Sequence, residues 1–179
     1  GRMYLKGDGI EKNPEKAAEW YERAAEQGDS SAQLNLGSLL LQGRGLPENP
    51  DLALHWFMQS AEQGNKKAEF SVGWMFQQGR AVTENKVTAI KWFQRSAEKG
   101  EVLAQYEMGR AYLYGLGVGK NEQTALKWFS LASEQGHSQS REIAQKLLVD
   151  KSNSCRKDEV EDMTKGRCTS IAPGSSPPK

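Results

Sequence analysis

The 179-residue sequence holds only two cysteines and two histidines. Cys155 and Cys168 lie near the C-terminus, far from His55 and close to neither histidine. A zinc site needs about four such ligands, so no metal is expected, and no other cofactor is assigned. So few histidines also leave little of the usual acid–base machinery. A surplus of one charge is missing too: 24 basic residues offset 23 acidic ones, for a net charge of +1. Nothing therefore points to DNA, RNA or an anionic membrane as partner. Apolar runs are only a few residues long, too short to span a bilayer. No basic-then-apolar leader opens the chain, which leaves location open. The mean hydropathy of −0.74 is low for a globule. It suits an elongated assembly in which each unit buries a narrow seam.

Repetition is what the sequence has in quantity. Trp20, Trp56, Trp92 and Trp128 stand 36 residues apart, each followed by an aromatic (Tyr21, Phe57, Phe93, Phe129) and preceded three residues earlier by Ala17, Ala53, Ala89 or Ala125. Glycines keep the same period, as in Gly1, Gly37, Gly73 and Gly109, in Gly7, Gly43, Gly79 and Gly115, and in Gly28, Gly64, Gly100 and Gly136. A further column, Gly9, Gly45 and Gly117, is broken by Ala81, while Asn13, Asn49, Asn85 and Asn121 stay in phase.

The period disposes of a tempting motif. Gly115-Leu-Gly117-Val-Gly119-Lys120 has the look of a phosphate-holding loop, but Gly115 and Gly117 belong to repeat columns, and Gly119 aligns with Glu11, Pro47 and Thr83. A phosphate loop follows a strand and opens a helix. This stretch follows a helical pattern, so it is read as a turn in which glycine adopts positive φ. "SAEK", Ser96 to Lys99, matches a serine–lysine nucleophile pattern, yet its copies read "AAEQ", "SAEQ" and "ASEQ". His55 and His137 fall at variable, surface positions, and no pair of carboxylates stands out. No nucleophile, base or metal cluster emerges, and the chain reads as non-catalytic.

Residues 29–64 show one full unit. Asp29, Ser30 or Ser31 is expected to cap a first helix carrying Ala32, Leu36, Leu39 and Leu40 at helical spacing. Gly43 and Gly45 end it. Asn49 followed by Pro50 opens a second helix, with Leu52, Ala53, Trp56, Phe57 and Ala61 on its apolar side and Gly64 at its end. Gly37 lies within the first helix, at a cost of about 1 kcal/mol against alanine. The expected cause is close approach of the second helix, its Trp indole filling the vacated space. The column tryptophans are accordingly expected in the core, with Trp56→Ala or Trp92→Ala costing about 3–5 kcal/mol.

The pattern A-x-x-x-L-G…G-x-G…N-x-x-x-A-x-x-W-x-x-x-A-A-x-x-G resembles the Sel-one-like repeat, a relative of the tetratricopeptide repeat, over residues 1–149. The resemblance implies an all-α fold: antiparallel helix pairs stacked into a right-handed α-solenoid with a concave groove. It also implies an adaptor that binds proteins, commonly in bacteria, and weighs slightly toward an exported protein. Some bacterial members carry cysteine pairs within their repeats; this sequence has none there. About four repeats are expected, the first short because Gly1 aligns with Gly37, so that either the chain is a fragment or its first helix is abbreviated. Residues 138–149 mimic a first helix and read as a cap, with Ile143, Leu147 and Leu148 covering the last repeat. Residues 150–179 are polar, then rich in Gly, Ser and Pro, and read as a disordered tail. Whether Cys155 and Cys168 pair or stay free is left open.

Recurring residues hold such a solenoid together, and varying exposed ones are free to recognise something. Steps of four and three along the first helices pick out Leu34, Ser38 and Leu41, then Phe70, Trp74 and Gln77, then Tyr106, Arg110 and Leu113. Alignment with the tetratricopeptide pattern adds the Gln42, Gln78 and Tyr114 column and places all of them in the groove. Trp74 is the one tryptophan outside the repeat column; its counterparts are Arg2, Ser38 and Arg110. With Phe70, Tyr106 and Arg110 it has the composition of a binding hot spot, though Phe70 and Trp74 packing between neighbouring first helices is the competing placement. The expected partner is a protein or peptide. An enzyme acting on cell-wall-related substrates and a connector within a larger chain remain as alternatives, and oligomeric state is unassigned.

Overall fold

Each unit pairs two apolar helical stripes across a glycine-rich turn, and each folds as a helical hairpin. A computed structural model of the protein describes residues 1–161, with side chains described through Lys151. Its helices are α1 (Arg2–Lys6), α2 (Pro14–Glu26), α3 (Ser30–Gln42), α4 (Pro50–Glu62), α5 (Lys66–Gln78), α6 (Lys86–Glu98), α7 (Val102–Tyr114), α8 (Glu122–Glu134) and α9 (Ser138–Glu161). No strand occurs among the described residues. Helices pack chiefly on their neighbours in the chain. That one-dimensional contact pattern is the mark of a solenoid, in which each repeat leans only on the next.

The column asparagines bind both helices of a hairpin. The Asn49 side chain accepts from the Leu52 N–H at 3.0 Å, capping α4, while its own N–H donates to the Leu40 carbonyl of α3 at 2.9 Å. Asn13, Asn85 and Asn121 repeat both bonds in their hairpins. One residue type thus satisfies an orphan helix N–H and closes the turn. Asp29, of the three candidates, caps α3 by accepting from the Ala32 N–H at 2.6 Å.

Within the hairpin the close approach at Gly37 is real, but its cause is not the indole. A Cβ on Gly37 would lie 2.7 Å from the Phe57 ring; Gly73 stands in the same relation to Phe93 and Gly109 to Phe129. These phenylalanines are at most 2% exposed, whereas Trp20 is 52% exposed and Trp56, Trp92 and Trp128 are half-buried. The expectation of tryptophan in the core is therefore corrected: the ring after each tryptophan occupies it. Adjacent helical residues point about 100° apart, which turns the indoles toward the boundaries between hairpins, where Trp56 and Trp92 border the cluster of α2–α5 and Trp128 that of α6–α7. In the first hairpin Tyr21 takes the phenylalanine's place; burial raises the pKa of its phenol, against the opposing pull of Arg2.

Two positions depart from their columns in structurally informative ways. Ala81 is the only non-glycine with positive φ among the described residues, at 63°. The left-handed conformation costs an L-residue roughly 1–2 kcal/mol. Glu69 is wholly buried. In the flanking units Gln33 and Gln105 donate to the Ala25 and Ala97 carbonyls at 3.2 and 3.3 Å. They accept from Gln63 and Gln135, each at 2.8 Å. In the central unit this pair becomes Glu69 and Lys99, joined at 2.8 Å, with Arg95 at 3.0 Å on the same oxygen. A carboxylate has no proton to offer the matching Ala61 carbonyl, and its Oε2 has no hydrogen-bond partner.

At the C-terminal end Ile143 and Leu147 pack on the last cluster with the buried Ala144. Leu148, expected to help cover that repeat, is 53% exposed instead. It neighbours Leu147 on the helix and so points away from α8. Helix α9 continues past Asp150 to Glu161. Residues 150–161 of the expected tail of 150–179 are thus helical, and its remainder, residues 162–179 with Cys168, lies outside the described residues, as does the Cys155 side chain.

Five outcomes are expected in urea denaturation. Phe93→Ala lowers stability by about 3–5 kcal/mol, while Trp20→Ala costs under about 1 kcal/mol. Ala81→Gly raises stability by about 0.5 kcal/mol, relief of strain outweighing the freer unfolded chain. Lys99→Gln alone destabilises by about 1–3 kcal/mol, because it takes a compensating positive charge from a buried carboxylate, and adding Glu69→Gln restores the loss through the Ala61 bond.

Candidate functional site

Helices α3, α5 and α7 carry the candidate contact columns, and the repeat places them in series. Between α3 and α5 lies a cleft of about 240 Å³, lined by Ser38, Leu41, Gln42, Phe70, Ser71 and Trp74, with the buried Phe57 at its base. Trp74 and Phe70 are each half-buried. Trp74 packs on the clusters of α2–α5 and α6–α7, and the Phe70 ring centroid is 5.5 Å from that of Phe93. Core contact on one side holds both rings in place, and the other side borders the cleft. Leu34 and Leu41 rest on the first cluster. The Ser38 hydroxyl donates back to the Leu34 carbonyl at 2.9 Å.

A second group forms between α5 and α7. Arg110 donates to both Glu107 oxygens, at 3.1 and 3.0 Å, and Gln77 reaches the same carboxylate from α5 at 3.4 Å. The Arg110 guanidinium lies 5.8 Å from the Tyr106 ring, which also meets Phe129 at 5.9 Å and His137 at 4.7 Å. Leu113 packs on the last cluster. Gln78 and Tyr114 are exposed, Tyr114 at 55%, and neither lines the cleft. The candidate residues thus fall into an apolar cleft and a charged cluster beside it. Glu107 and Ser71 escaped the sequence reading. They share a column with Asn35, one residue beyond the Leu34 column, and the signal was a position polar in every first helix but different each time.

Ser96 is fully buried, and its hydroxyl donates to the Lys66 carbonyl at 2.7 Å. Lys99 is held by Glu69 and the Gly64 carbonyl. The serine–lysine pair is therefore structural. The Gly115–Gly119 stretch joins α7 to α8, two helices, with Gly115 and Gly117 at φ 73° and 74°. His137 is not the bland surface residue expected; its Nδ1 accepts from the Ser140 N–H at 3.2 Å, at the start of α9. Among the described residues, no three His, Cys, Asp or Glu side chains gather as a metal site would require, and no helix is long and apolar enough to cross a membrane.

The chain matches the Sel1 repeat at residues 1–29, 30–65, 66–101 and 102–137, so the four matches fall on the four hairpins. The chain belongs to the Sel1 repeat family. Members of the Sel1 family are generally non-catalytic scaffolds for protein–protein interaction. Among solved structures, a Sel1 repeat protein from Oxalobacter formigenes is 36% identical, with a TM-score of 0.72 over 80% of this chain and 59% of that one. A protective antigen present in uropathogenic Escherichia coli strains, with an SLR fold, is 35% identical, with a TM-score of 0.74 over 78% of this chain and 30% of that one. This Sel1 repeat chain therefore spans about three fifths of the first and under a third of the second. Helicobacter pylori cysteine rich protein B, 20% identical over 74% of this chain and 95% of its own, shares the fold at a TM-score of 0.59. No curated protein matches the chain.

Proposed function

We propose that the chain is a non-catalytic scaffold that holds a protein or peptide along its first helices, in the groove centred on Phe70, Trp74, Tyr106 and Arg110. The observation that carries this reading is the cleft between α3 and α5, bordered by the one tryptophan outside the repeat column. An apolar side chain of the partner enters beside Phe70 and Trp74, and the Gln42 amide and Ser71 hydroxyl meet its backbone. Anchoring aromatics in a partly desolvated pocket is where interface energy concentrates. The neighbouring Arg110 supplies a guanidinium for an acidic group on the partner. That group has to displace Glu107, so the charged cluster favours carboxylates presented with good geometry.

Capture of partner proteins by the immobilised chain tests this, alongside a Trp74→Ala/Arg110→Ala variant whose helicity and melting are checked first. The variant is expected to lose at least about tenfold in affinity for any protein the parent retains, as hot-spot truncation does. Equal retention of the same proteins by a folded variant would remove the groove reading.

A further inference from the structure

A second cleft opens on the opposite side of α3, where the first hairpin meets the second. It has a volume of about 260 Å³ and apolar walls of Leu36, Leu40, Leu46, Leu52 and Trp56; two carboxylates, Glu22 and Glu48, are also among its lining residues. Leu36 and Leu40 lie on the other face of α3 from Leu34 and Ser38, since two residues advance a helix by about 200°. The cleft is therefore separate from the proposed groove.

Two of its residues are exceptions in their own columns. Leu40 aligns with Tyr4, Phe76 and Tyr112, the only non-aromatic of the four. Glu22 aligns with Met58, Gln94 and Ser130, the only charge of the four. At the next junction the corresponding Phe76 of α5 and Met58 of α4 both pack on the core. At this one junction an aromatic ring has been trimmed to an isobutyl group, and a carboxylate stands where a thioether packs. No cation lines the space. Arg80 takes Glu48 at 2.5 Å but is not among the residues that border the cleft, and Glu22 takes part in no ion pair among the described residues.

We propose that this cleft receives a lysine side chain of a protein partner. Its four-carbon stem lies along Leu40, Leu46 and Leu52, and its ammonium group meets Glu22, Glu48 and the Trp56 indole. A purely apolar occupant would take water from the unpaired Glu22 carboxylate and give nothing back, and an anion would be repelled. A long alkyl stem carrying one compact cation matches both halves of the site. An indole wall adds cation–π attraction that strengthens as water is excluded.

The Trp56 indole N–H resonance of the isotope-labelled full chain reads this directly. The probe is the capped tripeptide Gly-Lys-Gly, with the norleucine analogue as the stem without the charge. The lysine peptide is expected to shift the resonance saturably and to bind at least about tenfold better than the norleucine peptide. Leu40→Phe, the residue of the next hairpin, fills the cleft and abolishes the shift. Glu22→Met, also taken from the next hairpin, weakens binding at least threefold, about 0.65 kcal/mol by RT ln 3, and serves as the independent check should Leu40→Phe disturb folding. Trp74→Ala/Arg110→Ala leaves the titration unchanged, so this site and the groove stand or fall separately. Absence of a saturable shift, equal binding of norleucine, or full binding by folded Leu40→Phe or Glu22→Met overturns the proposal.

Discussion

The contact on which the solenoid depends is a phenylalanine ring seated on a glycine. Phe57, Phe93 and Phe129 each lie where the Cβ of Gly37, Gly73 or Gly109 would be. A mid-helix glycine costs about 1 kcal/mol, and full burial of a phenylalanine is worth about 1.5–3 kcal/mol, so the exchange favours the pair. The ring's seat sets the distance between the two helices of a hairpin and their rotation. Because it recurs every 36 residues, each hairpin presents the same faces to the next.

That rotation decides what neighbouring residues can do. With phenylalanine inward, the preceding tryptophan is carried to the seam between hairpins, where Trp92 borders the core of α2–α5 and is itself covered by the Arg95 guanidinium at 4.5 Å. At the first junction Trp56 becomes a side wall of a cleft instead of a filler of the core. The same geometry explains why altered column letters have local effects. Leu40 in an aromatic column leaves space at one junction, and Glu69 with Lys99 in place of two glutamines rewires another. Variation thus serves stacking as well as surface recognition, and the division between recurring structural letters and variable binding letters is not strict.

Much of the architecture was legible in one dimension. The helix pairs, the turn glycines and the Asn-Pro start of α4 all follow from local rules that need only near neighbours in the chain. The aromatic doublet was misread because both of its residues recur with equal regularity, and periodicity alone does not say which of two adjacent side chains faces inward. The site was legible only in part. Trp74 stood out as the tryptophan outside the repeat column, with Phe70 one turn before it, but Glu107 did not, because its importance lies in Gln77 and Arg110 converging on it from two helices. Glu69 escaped for a similar reason: a lone glutamate on a helix reads as solvated until its glutamine counterparts are seen to be buried.

The sequence by itself determined the unit, its length, its turns and the number of hairpins, since caps, glycines and helical spacing act within a few residues of themselves. Only the tertiary structure decided which aromatic fills each hairpin, which carboxylate is buried and where clefts open. Those outcomes depend on rotation about helix axes and on side chains meeting across a hairpin or from one hairpin to the next, and these are set jointly by all the packed surfaces.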